Sequence, residues 1–301
     1  MQGSPQKVGF IGIGAMGTPM CTNLINAGYE VVLYDTNPAR MQSLAGKPGV
    51  RIAANLAALG AECDTVITML PDGKIVRKAL CGEGDSFRDC VCSTLARGAL
   101  IIDMSSSSPV GTRELGTVLA QRGYEFADAP VSGGVKRAVD GSLAIMAGGE
   151  AGAFERARPL LEKLGKQIFH AGPLGAGHAV KALNNYVSAA GLIAASEAVV
   201  AASRFGLKAE TVVDIINASS GMNNSTLNKF KPFILSGTWG AGFMMGLMAK
   251  DLRTALEVTQ ATNTADPFAQ HCVELWNEAE RKLGGAADHT EIYKFVESQS
   301  R

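Results

Sequence analysis

The chain has 301 residues, room for one large or two medium domains, and its 47% hydrophobic and 19% charged residues suit a well-buried core and exclude a disordered chain. Lys plus Arg and Asp plus Glu both number 28, so the formal net charge is zero and no general attraction to nucleic acid or an anionic membrane follows. The opening lacks the basic start, long apolar run and cleavage site of a signal peptide, and no uninterrupted apolar stretch reaches the roughly 18 residues of a membrane span.

In chain order, strand patterns fall at 8–13, 30–34, 50–53, 65–69, 100–103 and 124–129, with helical patterns between them, such as 15–27 and 109–121. Two further short strands, 142–147 and 167–170, flank a helix over 153–164. Alternation of this kind predicts a doubly wound parallel sheet with helices on both faces. After Gly172-Pro173-Leu174-Gly175 the strand signals stop. A long helix over 178–204 ends at the glycine of Phe205-Gly206, and helices at 209–219, 226–235, 243–262, 269–283 and 290–298 follow. The expected fold is therefore an α/β Rossmann-type domain over 1–173, joined to an all-α domain over 174–301.

The glycines number 35, well above the average of about 7%, and they cluster rather than repeat. Gly12-Ile13-Gly14-Ala15-Met16-Gly17 follows a strand and opens a helix, the context in which G-x-G-x-x-G reads as a dinucleotide site. The first glycine serves the tight turn, the second lets the pyrophosphate approach, and the third lets helix and strand pack. The helix N-terminus, including Ala15 and Met16, then receives the phosphates. Asp35 stands at the end of the second strand, where an acid binds the adenosine ribose hydroxyls. It favours NAD, and nearby Arg40 keeps NADP open.

Leu70-Pro71 and Ser105-Ser106 end two further strands, so they too should meet the cofactor at the carboxyl edge of the sheet. Ser107 and Ser108 precede Pro109 and read as a helix cap, which is compatible with cofactor contact by Ser106. Ser132-Gly133-Gly134 presents successive backbone N–H groups, an anion-receiving concavity. Lys181 and Asn185 are four apart and share a face of the long helix. The lysine sits among small and apolar residues, where its charge is costly without a ligand or partner. Lys250-Asp251-Leu252 interrupts the Met-rich helix that starts at 243. The four histidines show no metal spacing, the Cys90-x-Cys92 pair lacks a second pair, and no metal is expected. The six scattered cysteines read as reduced thiols of a cytoplasmic protein.

Four ordered motifs, at 9–17, 128–134, 175–185 and 250–252, resemble the β-hydroxyacid dehydrogenases, the family of 3-hydroxyisobutyrate dehydrogenase and tartronate semialdehyde reductase, over nearly the whole chain. The resemblance implies NAD- or NADP-dependent interconversion of a small anionic 3-hydroxy acid and its semialdehyde or 3-oxo acid. It implies that Lys181 is the acid–base group. Asn185, with Asn184 beside it, would orient the substrate, and Ser132, Gly133 and Gly134 would hold its carboxylate. Leu70, Pro71 and Ser106 would touch the cofactor, and Lys250 would stand near the nicotinamide. Many relatives carry Thr where Ser106 stands; the hydroxyl is kept. A homodimer or homotetramer is implied as well. Imine reductases share the fold but usually lack the lysine, so Lys181 argues against them. The helical part of 128 residues is short for 6-phosphogluconate-type decarboxylation. A catalytically silent dinucleotide-binding protein is expected to have lost Lys181 or Asn185.

Overall fold

The computed structural model describes residues 7–299. The chain divides into two compact units, one ending at Lys181 and the other beginning at Ala182.

The first unit is built on nine strands: β1 (Lys7–Ile11), β2 (Glu30–Tyr34), β3 (Val50–Ile52), β4 (Thr65–Thr68), β5 (Leu100–Asp103), β6 (Glu125–Asp128), β7 (Val131–Ser132), β8 (Leu143–Gly148) and β9 (Gly165–Gly172). Their order is β3-β2-β1-β4-β5-β6-β8-β7, with β9 on β8. The strands from β1 to β6 pair in parallel. The chain winds outward from β1 to β3, then returns to lay β4 on the other side of β1. That reversal opens a crevice beyond the carboxyl ends of β1 and β4, the usual ligand position in such sheets.

Six helices cover the sheet: α1 (Gly17–Asn26), α2 (Leu56–Glu62), α3 (Gly73–Cys81), α4 (Pro109–Gln121), α5 (Gly134–Val139) and α6 (Ala151–Leu164). The period of two along each strand sorts the apolar side chains between two cores. Val8 and Phe10, Val31 and Leu33, Ile67, and Leu100 and Ile102 join Met20 and Leu24 of α1 and Phe154 and Leu161 of α6. Ile11, Val32, Val66 and Ile101 join Leu59 of α2, Leu80 of α3 and Leu119 of α4. Local signals set the helix starts. Ser108 accepts the Gly111 N–H at 3.1 Å with Pro109 in the first turn of α4, and Asp72 accepts the N–H groups of Lys74 and Ile75 at the start of α3.

The expected doubly wound fold is borne out, with one correction at its edge. β6 and β7 run antiparallel to β8, so the sheet is not wholly parallel. Pro130 has no N–H to give a ladder, and it splits this stretch into β6 and the two-residue β7. Strand β1 stops at Ile11, two residues before the expected end, because Gly12 turns the chain at φ +99°.

The second unit is helical. α7 (Ala176–Arg204) crosses into it and is followed by α8 (Ala209–Asn217), α9 (Asn224–Asn228), α10 (Met245–Ala261), α11 (Pro267–Leu283) and α12 (Ile292–Gln299). Leu192, Val199, Phe230, Met248, Trp276 and Phe295 lie in its core. α7 ends as the sequence predicts, with Gly206 at φ +95° and the Leu207 N–H on the Ala202 carbonyl. Two expectations change. The helix expected over 226–235 is α9 followed by a π-helical turn, Phe230–Leu235, because Pro232 cannot supply an α-helical N–H bond. Lys250, Asp251 and Leu252 do not interrupt a helix; α10 runs through them.

Candidate active site

The glycine turn between β1 and α1 is tied down on every side. The Gly12 N–H donates to the Tyr34 carbonyl at 3.0 Å. The Ile13 N–H donates to Asp35 Oδ2 and the Asn37 N–H to Asp35 Oδ1, both at 2.8 Å. Asp35 therefore fastens the end of β2 to the turn. Its side chain is 4% exposed, and Arg40 lies 3.7 Å from Oδ1.

The three glycines differ in what they require. A Cβ on Gly12 would stand 2.2 Å from the Met69 carbonyl oxygen, and one on Gly17 would stand 1.9 Å from the Gly12 carbonyl oxygen. A Cβ on Gly14 would meet nothing within 4 Å. Gly12 and Gly17 are thus needed for the chain's own packing, and the open face of Gly14 leaves room for a ligand. Among the described residues no side chain caps α1; the Thr18 and Met20 N–H groups bond the Gly14 and Met16 carbonyls, Pro19 has none, and the positive end of the helix lies at the glycine turn. That combination fits a dinucleotide pyrophosphate. Gly17→Ala should lower the unfolding free energy by about 1–3 kcal/mol, as overpacking does. Gly14→Ala should stay within about 0.5 kcal/mol and still lose dinucleotide affinity. Thermal unfolding and NADH titration of both variants check this, and a Gly14→Ala protein that binds NADH normally contradicts it.

A cavity of about 660 Å³ lies at this crevice. Gly12, Gly14, Ala15, Met16, Gly17, Asp35, Leu70 and Pro71 all line it. Ser106 does not line it, and Lys250 lies in the second unit, on α10. Ser105 carries a bond in this region, its hydroxyl accepting the Leu70 N–H at 2.9 Å. The cavity wall also includes Thr36, Ile75, Lys78, Ala79 and Arg88, which the motifs did not indicate.

A buried polar knot fixes the start of α7. Asp128, fully buried, accepts the Gly175 N–H on Oδ1 and the His178 N–H on Oδ2, each at 2.7 Å. His178, 1% exposed, places Nδ1 2.8 Å from Thr112 Oγ1, and Nε2 donates to the Ser105 carbonyl at 3.1 Å. Asp103 accepts from the hydroxyls of Thr68 and Ser107, both at 2.8 Å, and lies 3.7 Å from the same ring. Gly177 is forced here, since a Cβ would stand 2.1 Å from the Met146 carbonyl oxygen. Lys181 follows His178 by three residues, so its backbone is held within one turn of this knot. Sequence reasoning gave His178 no role and gave Asp128 only its place in a motif, because their partners are far away along the chain.

One turn beyond Lys181, Asn185 is 7% exposed and held on both amide atoms. Its Nδ2 donates to Asp251 Oδ2 at 2.6 Å, and its Oδ1 accepts from Asn184 Nδ2 at 3.1 Å. Asp251 is 3% exposed, with Lys250 Nζ 3.9 Å from its Oδ1. The Lys250–Asp251 pair is therefore partly a buried support for Asn185. A further lysine, Lys229, donates to Ser188 Oγ at 3.4 Å, and burial pushes its ammonium down to about 8.

Ser132 ends β7, and Gly133 and Gly134 follow at φ +128° and +67°, opening α5. A Cβ on Gly134 would meet nothing within 4 Å. α5 also carries Lys136 and Arg137. The six cysteines are buried and free, and burial pushes the Cys63 and Cys81 thiols up to about 12, which removes them as nucleophiles near neutral pH.

A switch-point crevice, a glycine turn open only at its middle glycine and a fixed acid at the end of β2 define the first unit as the nicotinamide-dinucleotide domain of an oxidoreductase. The family model described as the NAD binding domain of 6-phosphogluconate dehydrogenase matches residues 7–172, and the one described as the NAD-binding of NADP-dependent 3-hydroxyisobutyrate dehydrogenase matches residues 175–296. The chain is 37% identical to 2-(hydroxymethyl)glutarate dehydrogenase of Eubacterium barkeri over 98% of its own length and 96% of that protein. It is 37% identical to the NAD-dependent L-serine dehydrogenase of Pseudomonas aeruginosa, over 90% of this chain and 91% of that one. The solved structure of Mycobacterium tuberculosis 3-hydroxyisobutyrate dehydrogenase with L-serine superposes with a TM-score of 0.87 at 33% identity, covering 97% of this chain and 99% of that one. The chain belongs to the β-hydroxyacid dehydrogenase family, and it is an NAD(P)-dependent hydroxyacid dehydrogenase.

Proposed function

We propose that the protein interconverts a small 3-hydroxy acid and its semialdehyde or 3-oxo acid, with Lys181 as the acid–base group. The observation that carries this reading is the pairing on α7 of Lys181 with a buried Asn185 whose amide is fixed by Asp251 at 2.6 Å. Bound nicotinamide supplies the hydride donor or acceptor. The protein's own part is positioning and proton transfer. The Ser132 hydroxyl and the N–H groups of Gly133 and Gly134 hold the carboxylate. Lys181 hydrogen-bonds the substrate oxygen, taking its proton on oxidation and returning it on reduction. Asn185 has one Nδ2 hydrogen left after Asp251 and offers it to the same substrate. Small carboxylate-bearing compounds named among the relatives, a hydroxymethylglutarate and L-serine, support the substrate class. A panel of 3-hydroxy acids and semialdehydes with NAD(H) and NADP(H), followed by the absorbance of the reduced nicotinamide, tests it. No turnover with any member overturns it.

NAD is the preferred cofactor in this reading. Asp35 cannot easily rotate away, since both its oxygens hold backbone N–H groups. A 2′-phosphate at about 4 Å would be repelled by about 4 kcal/mol at an effective dielectric of about 20, less with exposure. At least about tenfold preference for NAD in kcat/KM is expected, which needs only about 1.4 kcal/mol. Equal efficiency with NADP would show that Arg40 decides instead.

The apolar α7 also supports a homodimer or homotetramer. Less than half of its most apolar stretch is buried within one chain, and Val187 on it is 68% exposed. Apolar surface left open on this scale suits a second copy of the chain.

A further inference from the structure

The loop after α3 has an uncommon backbone. Gly82, Gly84, Asp85, Phe87 and Asp89 have φ of 79°, 58°, 57°, 54° and 50°. Asp85, Phe87 and Asp89 are three of the five non-glycine residues with positive φ among the described residues. Left-handed backbone is costly for a bulky side chain such as Phe, and it persists only where the surroundings over-determine it. Here they do. Arg77 grips Asp85 with two parallel bonds, Nε to Oδ1 at 2.9 Å and Nη2 to Oδ2 at 2.6 Å. The Arg122 guanidinium lies 4.0 Å over the Phe87 ring, and the Phe87 N–H donates to the Cys81 carbonyl at 2.7 Å. None of these contacts is made by residues with a part in the chemistry above, so the loop is held in shape for another reason.

That reason is given by where the loop points. Gly82, Ser86 and Arg88 line the same cavity as the glycine turn. Leu70 and Pro71, Ile75 and Ala79 of α3, and Asp35 and Thr36 line that cavity with the loop. Asp35 marks the adenosine ribose, so the loop lies on the adenine side. The other cations there are engaged, Arg77 with Asp85 and Lys78 with Glu83 at 2.5 Å. Arg88 is exposed, and no carboxylate among the described residues lies within 4.0 Å of it.

We propose that the 82–89 loop is a preorganised wall for the adenine of the dinucleotide, and that the Arg88 guanidinium lies on the adenine ring. A planar, weakly hydrated guanidinium stacks well on an aromatic face. The proposal rests on the dinucleotide assignment. The test is titration of wild type, Arg88→Ala and Arg88→Lys with NADH, NADPH, ADP-ribose and reduced nicotinamide mononucleotide, which lacks the adenosine. Arg88→Ala should weaken NADH and ADP-ribose by about three- to tenfold and leave the mononucleotide unchanged, with Arg88→Lys in between. Asp85→Ala, which releases the loop, should weaken the same two ligands. If that variant fails to fold, the exposed Arg88 substitutions still decide. Unchanged NADH and ADP-ribose affinity in Arg88→Ala overturns the proposal. So does an equal loss for the mononucleotide, or a loss confined to NADPH, which would place Arg88 at a 2′-phosphate. A wild type that binds none of these ligands would overturn the dinucleotide assignment instead.

Discussion

Replacing Lys181 with Met should lower turnover by about 10²–10⁴-fold, the usual contribution of a positioned acid or base. Met keeps much of the apolar stem and removes only the proton-carrying group. Dinucleotide affinity should change little, because Lys181 is not among the residues lining the cavity. The size of the effect depends on placement as well as on chemistry. The Asp128 carboxylate fixes the first turn of α7 through two 2.7 Å bonds, and Lys181 inherits that precision. Single-turnover hydride transfer with wild type and variant, alongside NADH titration, checks the prediction. Near-normal transfer in Lys181→Met would sink the acid–base assignment. Lys229 would then be the group to examine, since burial already holds it at about 8.

Local signals carried most of the fold. The apolar runs of β1, β2, β4 and β5, the glycine turn and the Gly206 stop each depend on neighbours within a few residues, so a linear reading finds them. What escaped depends on distance or on backbone shape. Asp128 meets Gly175 and His178 about fifty positions away, and Asp251 meets Asn185 across 66. A motif shows that such residues stand together in a pattern, not that one holds the other. β7 has two residues and α5 has six, too few for any periodicity. In the 82–89 loop the sequence did leave a trace, since Gly82, Gly84, Asp85 and Asp89 are residue types that tolerate positive φ. Phe87 does not belong to that group; its contact with Arg122 and the bond from its N–H to the Cys81 carbonyl hold it there. The π-turn at Phe230–Leu235 is a similar case, marked by Pro232 yet read as regular helix.

Neutralising the substrate should be as damaging as removing the lysine. A methyl ester or amide of a good 3-hydroxy acid should lose about 10²–10⁴-fold in kcat/KM relative to the acid. The estimate follows from the donors at the end of β7. Ser132 offers a hydroxyl, and Gly133 and Gly134 offer backbone N–H groups where α5 begins. Hydrogen bonds to a charged group contribute roughly 1.5–3 kcal/mol each, so weakening two costs ~3–6 kcal/mol. Side-chain truncation cannot delete a backbone donor, so Ser132→Ala should cost less than neutralising the ligand. Gly133→Val should cost more than Ser132→Ala. Gly133 has φ +128°, and a Cβ there would stand 2.8 Å from the Arg137 Cβ and 2.4 Å from its Cδ, so the loop and α5 must shift together. Gly134→Ala separates strain from space, since its φ of +67° is unfavourable for Ala while its Cβ would meet nothing. Wild-type kinetics with acid, ester and amide, read by reduced-nicotinamide absorbance, decide the matter. Neutral analogues turned over as efficiently as the acid would show that residues 132–134 do not hold a carboxylate.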